Sequence, residues 1–377
     1  MNSCGSFSAP GVVLRTLDPA AARRMLRRAK FAVSGCSQYG VHEEGDYFTD
    51  RQCMRMKVNC LVLLMCMWTA AYAAPPADSL PFAPATVDMQ LRRVSEHVWF
   101  VEGAAGIATD NQGFVSNAGV VVTGAGVVVF DALGTPALAQ LLLEKIREIT
   151  QQPIVRVVVS HYHADHIYGL QVFADLDAEI LAPAGSELYL DSPNAQARLE
   201  ERRFTLSPWV NDETRLVWPD RILKEGAQFQ LGDVDFTITV VGNAHSDGDL
   251  TMYVGPDRVL FSGDIIFEGR VPFLGDSNSR NWVDVLERME RENLVALVPG
   301  HGAVPEHPNQ AIGLTRRYLV FLRDQMAQAV NELVPFDEAY SKIDWSEFAD
   351  LPAFAEANRR NAYQVYLSLE AELLGSQ

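Results

Sequence analysis

The chain has 377 residues, with 31 Lys and Arg against 48 Asp and Glu, for a net charge of −17. Nine basic and five acidic residues precede Ala74, so the chain from Ala74 onward carries −21. A surface that acidic repels phosphate backbones and argues against a nucleic-acid partner, and the length suits one large α/β domain with an appendage.

In chain order, the first feature is MRMKVNCLVLLMCMWTAAYAAPP, which begins at Met54. Arg55 and Lys57 precede an apolar run from Cys60 to Ala71, and Ala71-Tyr72-Ala73 supplies small residues for a cut before Ala74, the order of a secretory signal. The run is shorter than the roughly 20 apolar residues that span a bilayer. Residues 54–73 therefore read as a signal peptide, the product as periplasmic or secreted, and the processed chain as having no membrane anchor. Residues 1–53 read as a misassigned start or a leader, with a short basic helical pattern at Ala21–Val33. All five cysteines, Cys4, Cys36, Cys53, Cys60 and Cys66, precede Ala74, so the processed chain has no thiolate to act as ligand or nucleophile.

Residues 74–86 form a Pro-rich spacer. Strands are predicted at HVWFVEG from His97, GVVVTGAGVVVFDA from Gly119, IVRVVVSHYHADH from Ile154, FTITVVG from Phe236, LTMYVG from Leu250, RVLFSGD from Arg258 and LVALVPG from Leu294. Helices are predicted from Thr135, with Thr135 as N-cap beside Pro136, and from Asn281. Strands apolar on both faces that alternate with helices imply sheets covered by helices. The domain spans 87–308. Beyond it, Leu314, Tyr318, Phe321, Leu322, Val330 and Leu333 share one helical stripe, and Ala362, Tyr366, Leu369 and Leu373 another. The segment 309–377 is thus expected to be a pair of amphipathic helices laid on the body or on a partner subunit, a route to a homo-oligomer.

SHYHADHIYG places His161, His163, Asp165 and His166 directly after an apolar strand. A strand end followed by a loop lets closely spaced side chains turn toward one point, and neutral imidazole and carboxylate are ligands that divalent zinc accepts. His245 and His301 also follow strand-like runs, in VVGNAHSDGD and LVPGHG. His42, His97 and His307 have no such setting and read as ordinary core or surface residues.

The pattern His161-Tyr162-His163-Ala164-Asp165-His166, then His245, Asp264 in FSGD, and His301 in PGHG resembles the metallo-β-lactamase superfamily. The resemblance covers about Val87 to Val304 and implies an αββα sandwich with two Zn2+ ions per chain at the sheet edge. It implies that His161, His163 and His245 hold one zinc, that Asp165, His166 and His301 hold the other, and that Asp264 bridges them. Asp131 looks like the family's acid beneath the histidine loop, which orients the ligands. The implied chemistry is attack on a carbonyl of a small-molecule substrate by a metal-bridged hydroxide, with Asp165 orienting it and handling its proton.

Within the superfamily the details diverge. Asp264 stands where exported β-lactamases carry a cysteine, and Phe267 where they carry a lysine for the drug's carboxylate; a bridging Asp is typical of glyoxalase II-like thioester hydrolases and of lactonases. The export signal, AHSDGDL and the helical tail instead look like periplasmic lactamase-like hydrolases, including zinc metallohydrolases found near quinoprotein systems. The expectation is cleavage of a lactam, ester, lactone or thioester, with lactam-like hydrolysis slightly ahead. The alternatives are a mononuclear iron sulfur dioxygenase and a non-catalytic periplasmic accessory factor. Candidate substrate contacts are Arg270, Phe267, Tyr168 as a donor to the oxyanion, and Ile107 and Phe114 in a covering flap.

Overall fold

The computed structural model of the protein describes residues 80–275, 277–290 and 293–375. The expected leader and signal peptide lie outside them. The end of the Pro-rich spacer, expected as a mere connection, is laid against the body. Phe82 is buried, Asn211 Nδ2 donates to the Pro81 carbonyl at 2.7 Å, and Thr86 N donates to Gln112 Oε1 at 2.8 Å.

Two sheets form the centre. The first contains β1 (Arg92–Arg93), β2 (Val98–Val101), β3 (Ala118–Thr123), β4 (Gly126–Phe130), β5 (Ile154–Val158), β6 (Glu179–Pro183) and β7 (Arg221–Leu223), in that order. The pairs from β1 to β4 are antiparallel and those from β4 to β7 parallel. The second sheet has the order β12-β11-β10-β9-β8, from β8 (Ala227–Leu231), β9 (Val234–Gly242), β10 (Asp249–Val254), β11 (Val259–Phe267) and β12 (Ala296–His301). Only β11 and β12 are parallel there.

Side-chain alternation divides the apolar residues between two faces. In β4, Val128 and Phe130 enter the core between the sheets, with Phe236, Leu250 and Phe261 from the opposite sheet, while Val127 and Val129 face outward. That outer face is covered by α1 (Pro136–Ile149), whose Thr135 side chain accepts from Leu138 N as predicted, and by α3 (Leu170–Ala174), which follows the short α2 (Ala164–Ile167). Gly119 lets the sheets approach: a Cβ there would lie 2.1 Å from the Phe261 ring, which stacks on Phe130 at 5.2 Å.

The second sheet is covered by α6 (Ser279–Met289), α7 (Pro308–Asn331) and α9 (Phe354–Gly375), with α8 (Phe336–Lys342) between the last two. This is the αββα sandwich with a C-terminal helical extension. The extension has three helices where two were expected. Its apolar stripes are buried within the chain through Ile312, Tyr318, Leu322, Ala362 and Val365. Leu333 does not belong to them: it lies past the helix end with φ 57°, turning the chain toward Pro335, and is 83% exposed. Leu373 is 38% exposed. Two helices omitted by the sequence reading, α4 (Ser186–Leu190) and α5 (Pro193–Thr205), stand beside the edge where β5, β9, β11 and β12 end. Among the described residues no helix is long and apolar enough to cross a membrane.

Candidate metal centre

Parallel pairing assembles the site. β4 and β5 end side by side, so Asp131 receives Ser160 N at Oδ1 (2.7 Å) and the Ser160 hydroxyl at Oδ2 (2.8 Å). The chain then delivers His161 and His163 and, through α2, Asp165 and His166. β9 leads to His245, β11 carries Asp264, and β12 ends at His301. Gly300 lets β12 close on β11, since a Cβ there would sit 2.0 Å from Asp264 Oδ1.

These side chains present two groups of donor atoms, one from His161, His163, His245 and Asp264 and the other from Asp165, His166 and His301. In the first, His163 Nδ1 lies 3.0 Å from both His161 Nε2 and His245 Nε2, and Asp264 Oδ2 lies 3.8 and 3.4 Å from the latter two. In the second, Asp165 Oδ2 is 3.5 Å from His166 Nε2 and 3.4 Å from His301 Nε2. Asp264 reaches this group too, with Oδ1 3.2 Å from His166 Nε2 and Oδ2 3.2 Å from His301 Nε2. Zinc bonded to nitrogen or oxygen at roughly 2.0–2.1 Å has tetrahedral ligand–ligand edges of about 3.3 Å, and these spacings bracket that value.

Hydrogen bonds on the far sides of the rings leave the inward nitrogens free as acceptors. His166 Nδ1 donates to Asp131 Oδ2 at 2.9 Å, His301 Nδ1 donates to the Val115 carbonyl at 2.7 Å, and His161 Nδ1 donates to the Ser160 hydroxyl at 2.9 Å. The backbone around His245 is gripped by Asp249, whose Oδ2 accepts from Ala244 N and Ser246 N at 3.1 and 2.9 Å. His166 Nε2 and Asp264 Oδ1 are buried with no hydrogen-bond partner. Orphaned buried polar atoms are costly, and a cation shared between them satisfies both, so the donor set fits metal ions.

Burial pushes the imidazoles of His161 and His163 down from their ordinary pKa, and that of His245 down to about 3, keeping the three imidazoles of the first group neutral and ligand-competent. In the second group burial opposes charge, but the Asp264 and Asp165 carboxylates outweigh it, raising His166 strongly and His301 to about 9. The two carboxyls are held well below their usual range against burial, Asp264 chiefly by His301 and His166, and Asp165 chiefly by His166.

Five of the donors, His163, Asp165, His245, Asp264 and His301, floor a cavity of about 850 Å³. Phe267 lines it, lying flat on the His301 ring at 5.1 Å, and so does Arg270, whose Nε is buried without a hydrogen-bond partner. Tyr168 does not reach the cavity. It is 1% exposed within the core, because residues two apart on a helical turn face away from each other, and the lining phenols are Tyr162 and Tyr189. Phe114 also belongs to the core, and Ile107 projects into solvent while its neighbours Gly106 and Ala108 line the wall. The sequence reading did not single out Ser160, Asp249, Arg198 and Arg202 on α5, or Arg360 on α9. The three arginines also line the cavity; they sit in polar helical segments with no motif around them.

The family model described as metallo-beta-lactamase superfamily matches residues 111–301, and the chain belongs to that superfamily. An acyl-coenzyme A thioesterase, MBLAC2, of Gallus gallus is 31% identical over 154 residues, covering 38% of this chain and 55% of its own length. The metallo-beta-lactamase IND-1 of Chryseobacterium indologenes is 21% identical over 193 residues, 50% of this chain and 72% of that protein. Among solved structures, the inverting sec-alkylsulfatase Pisa1 from Pseudomonas sp. superposes with a TM-score of 0.58 at 18% identity, over 74% of this chain and 50% of that one. The chain thus spans about half the length of the thioesterase it matches. Its fold and donor set are those of a superfamily of metal-dependent hydrolases.

Proposed function

We propose that the protein is a zinc hydrolase that holds two ions and cleaves an ester or thioester carbonyl in a small anionic substrate, with lactones and lactams as further substrates. The observation that carries this reading is the convergence of two donor groups sharing Asp264 on the floor of a cavity whose wall bears Arg198, Arg202, Arg270 and Arg360. The bound ions would supply Lewis acidity and a water of lowered pKa. Asp165, which lines the cavity, would accept a hydrogen bond from the attacking water and orient it. Asp131, through His166 and Ser160, keeps the imidazole nitrogens aimed inward. Phe267 shields His301 from bulk water, and the arginines hold the substrate's negative group, for which a guanidinium is well shaped.

Asp264 and Phe267 in place of a cysteine and a lysine favour esters and thioesters over lactams. The thioesterase relative is in keeping with that order, and the lactamase relative keeps lactams in view. Export to the periplasm or outside the cell is part of the proposal and rests on Met54–Ala73. The test is turnover of a p-nitrophenyl ester, an acyl thioester and a chromogenic β-lactam by zinc-loaded protein, with and without chelator. Chelator-sensitive turnover, fastest on the ester or thioester, is expected. Faster lactam turnover would reverse the order of substrates. Inertness of protein holding two zincs would leave a non-catalytic binding role, and one tightly held iron per chain would point to oxygen chemistry instead.

A further inference from the structure

The C-terminal extension packs on the second sheet, yet one of its side chains, Arg360, lines the cavity that the metal donors floor. Its neighbour shows what an arginine on this helix does when it is structural. Arg359 Nη2 pairs with Asp337 Oδ1 at 2.6 Å, and its guanidinium lies over Phe336 and Tyr340. One residue on, the helix has turned by about 100°, and among the described residues Arg360 meets no carboxylate. Its guanidinium carbon lies 5.0 Å from the centroid of Phe273, another cavity residue.

The loop bearing Phe273 is tied to the extension. Val271 N donates to the Pro352 carbonyl at 3.0 Å, Leu274 N donates to Asn361 Oδ1 at 3.1 Å, and Asn361 Nδ2 donates to the Pro272 carbonyl at 2.7 Å. Asn361 is fully buried, and its Nδ2 also donates to Tyr318 Oη at 3.0 Å. Loop and helix thus present Phe273, Arg270 and Arg360 as one unit. An aromatic face under a guanidinium restrains its plane and leaves its N–H groups free for a second partner. In a chain of net charge −17, an anionic substrate approaches against the overall field, so cations kept free of acidic partners at the mouth have a physical purpose.

We propose that Arg360, seated on Phe273, is a specificity-determining residue. With Arg270 it forms a subsite for a carboxylate remote from the bond to be cleaved, so that the helical extension completes the substrate site. This rests on the hydrolase reading for its catalytic consequence, but binding of the carboxylate can be read separately.

The experiment compares wild type, Arg360→Ala and Arg360→Lys, all zinc-loaded and matched in melting temperature. Hydrolysis is measured on p-nitrophenyl butyrate and on mono-p-nitrophenyl glutarate, esters that differ in a terminal carboxylate. Glutarate binding is measured by calorimetry. Arg360→Ala is expected to lower the preference for the charged ester about tenfold, through its KM and not its kcat, and to weaken glutarate binding by a similar factor; lysine restores part of both. Equal loss on the two esters, or unaltered glutarate affinity in Arg360→Ala, overturns the subsite. If wild type cleaves neither ester, the hydrolase reading loses its ester arm, and the glutarate titration alone supports or overturns the subsite.

Discussion

At the floor of the cavity, His245 and Asp264 are 2% and 5% exposed, the donors His161 and His166 are 0% exposed, and all the donors lie on β11 and β12 or follow the ends of β5 and β9. At its mouth, Arg198 is about half exposed and salt-bridged to Glu201, and Phe273 is 42% exposed; these residues come from helices and a loop outside the sandwich edge. The floor is rigid because its atoms are held from behind by Asp131, Asp249 and the Val115 carbonyl. The mouth is assembled by packing of α4, α5, the loop bearing Phe273 and the extension. Chemistry that tolerates little displacement sits on the sheets, and recognition sits where the chain can vary without disturbing them.

Removing the residue shared by both donor groups breaks the floor outright. Asp264→Ala is expected to lose at least one metal equivalent and to lower turnover by about 10³-fold or more, since each ion of the proposed pair would lose a ligand. Metal analysis of the purified variant together with its chelator-sensitive rate checks this, and full metal content with wild-type turnover would refute a bridging role. A smaller loss follows from touching the support behind the ligands. Asp131→Asn keeps the size but removes the charge that His166 and Ser160 share, and metal affinity should fall by about 10–100-fold in a chelator competition.

The same contrast decides what could be read from sequence. The metal centre was legible because its donors are chemically unusual and locally dense: His161 to His166 follow one strand, Asp264 lies in the FSGD run of a second, and His301 ends a third. Asp131 was legible as an acid at a strand end. The mouth was not. α5 is mostly polar, so PNAQARLEERRFT shows no stripe to mark it, and nothing local distinguishes Arg360, which faces the cavity, from Arg359, which pairs with Asp337. Tyr168 misled because nearness in sequence to His166 is not nearness in space once α2 begins to turn. Leu333 extended an apolar period past the point where a left-handed turn ends the helix.

A further test uses the opposite protonation of the two donor groups. In chelator-stripped protein His301, raised to about 9, is a cation at pH 7, and metal uptake must expel its proton. Metal affinity should therefore rise between pH 7 and 9, by about tenfold per pH unit for each proton released, with His166, also raised, adding its own proton to the release. The stability of the stripped protein should move the other way. A histidine whose pKa is raised by folding stabilises the fold fully below its ordinary value near 6.5, and that contribution is lost as pH rises through about 9. Calorimetry in buffers of different ionisation enthalpy and melting temperatures of stripped protein across this range would show both trends; parallel trends would contradict the charge assignment.

The smallest effect is expected where mouth and extension meet. Asn361→Ala leaves Leu274 N and the Pro272 carbonyl without their partner while leaving every metal donor in place. Each buried group left unsatisfied costs about 1–3 kcal/mol, but water can enter beside a loop that borders the cavity, so the net loss should lie at the low end of that range. The melting temperature should drop by a few degrees, on the order of that expected for ~1 kcal/mol in a domain of this size. Metal content should stay at the wild-type value, and KM should rise severalfold because Phe273 and Arg360 lose their common support. If metal content fell together with KM, floor and mouth would be one cooperative unit, and the separation between them would have to be abandoned.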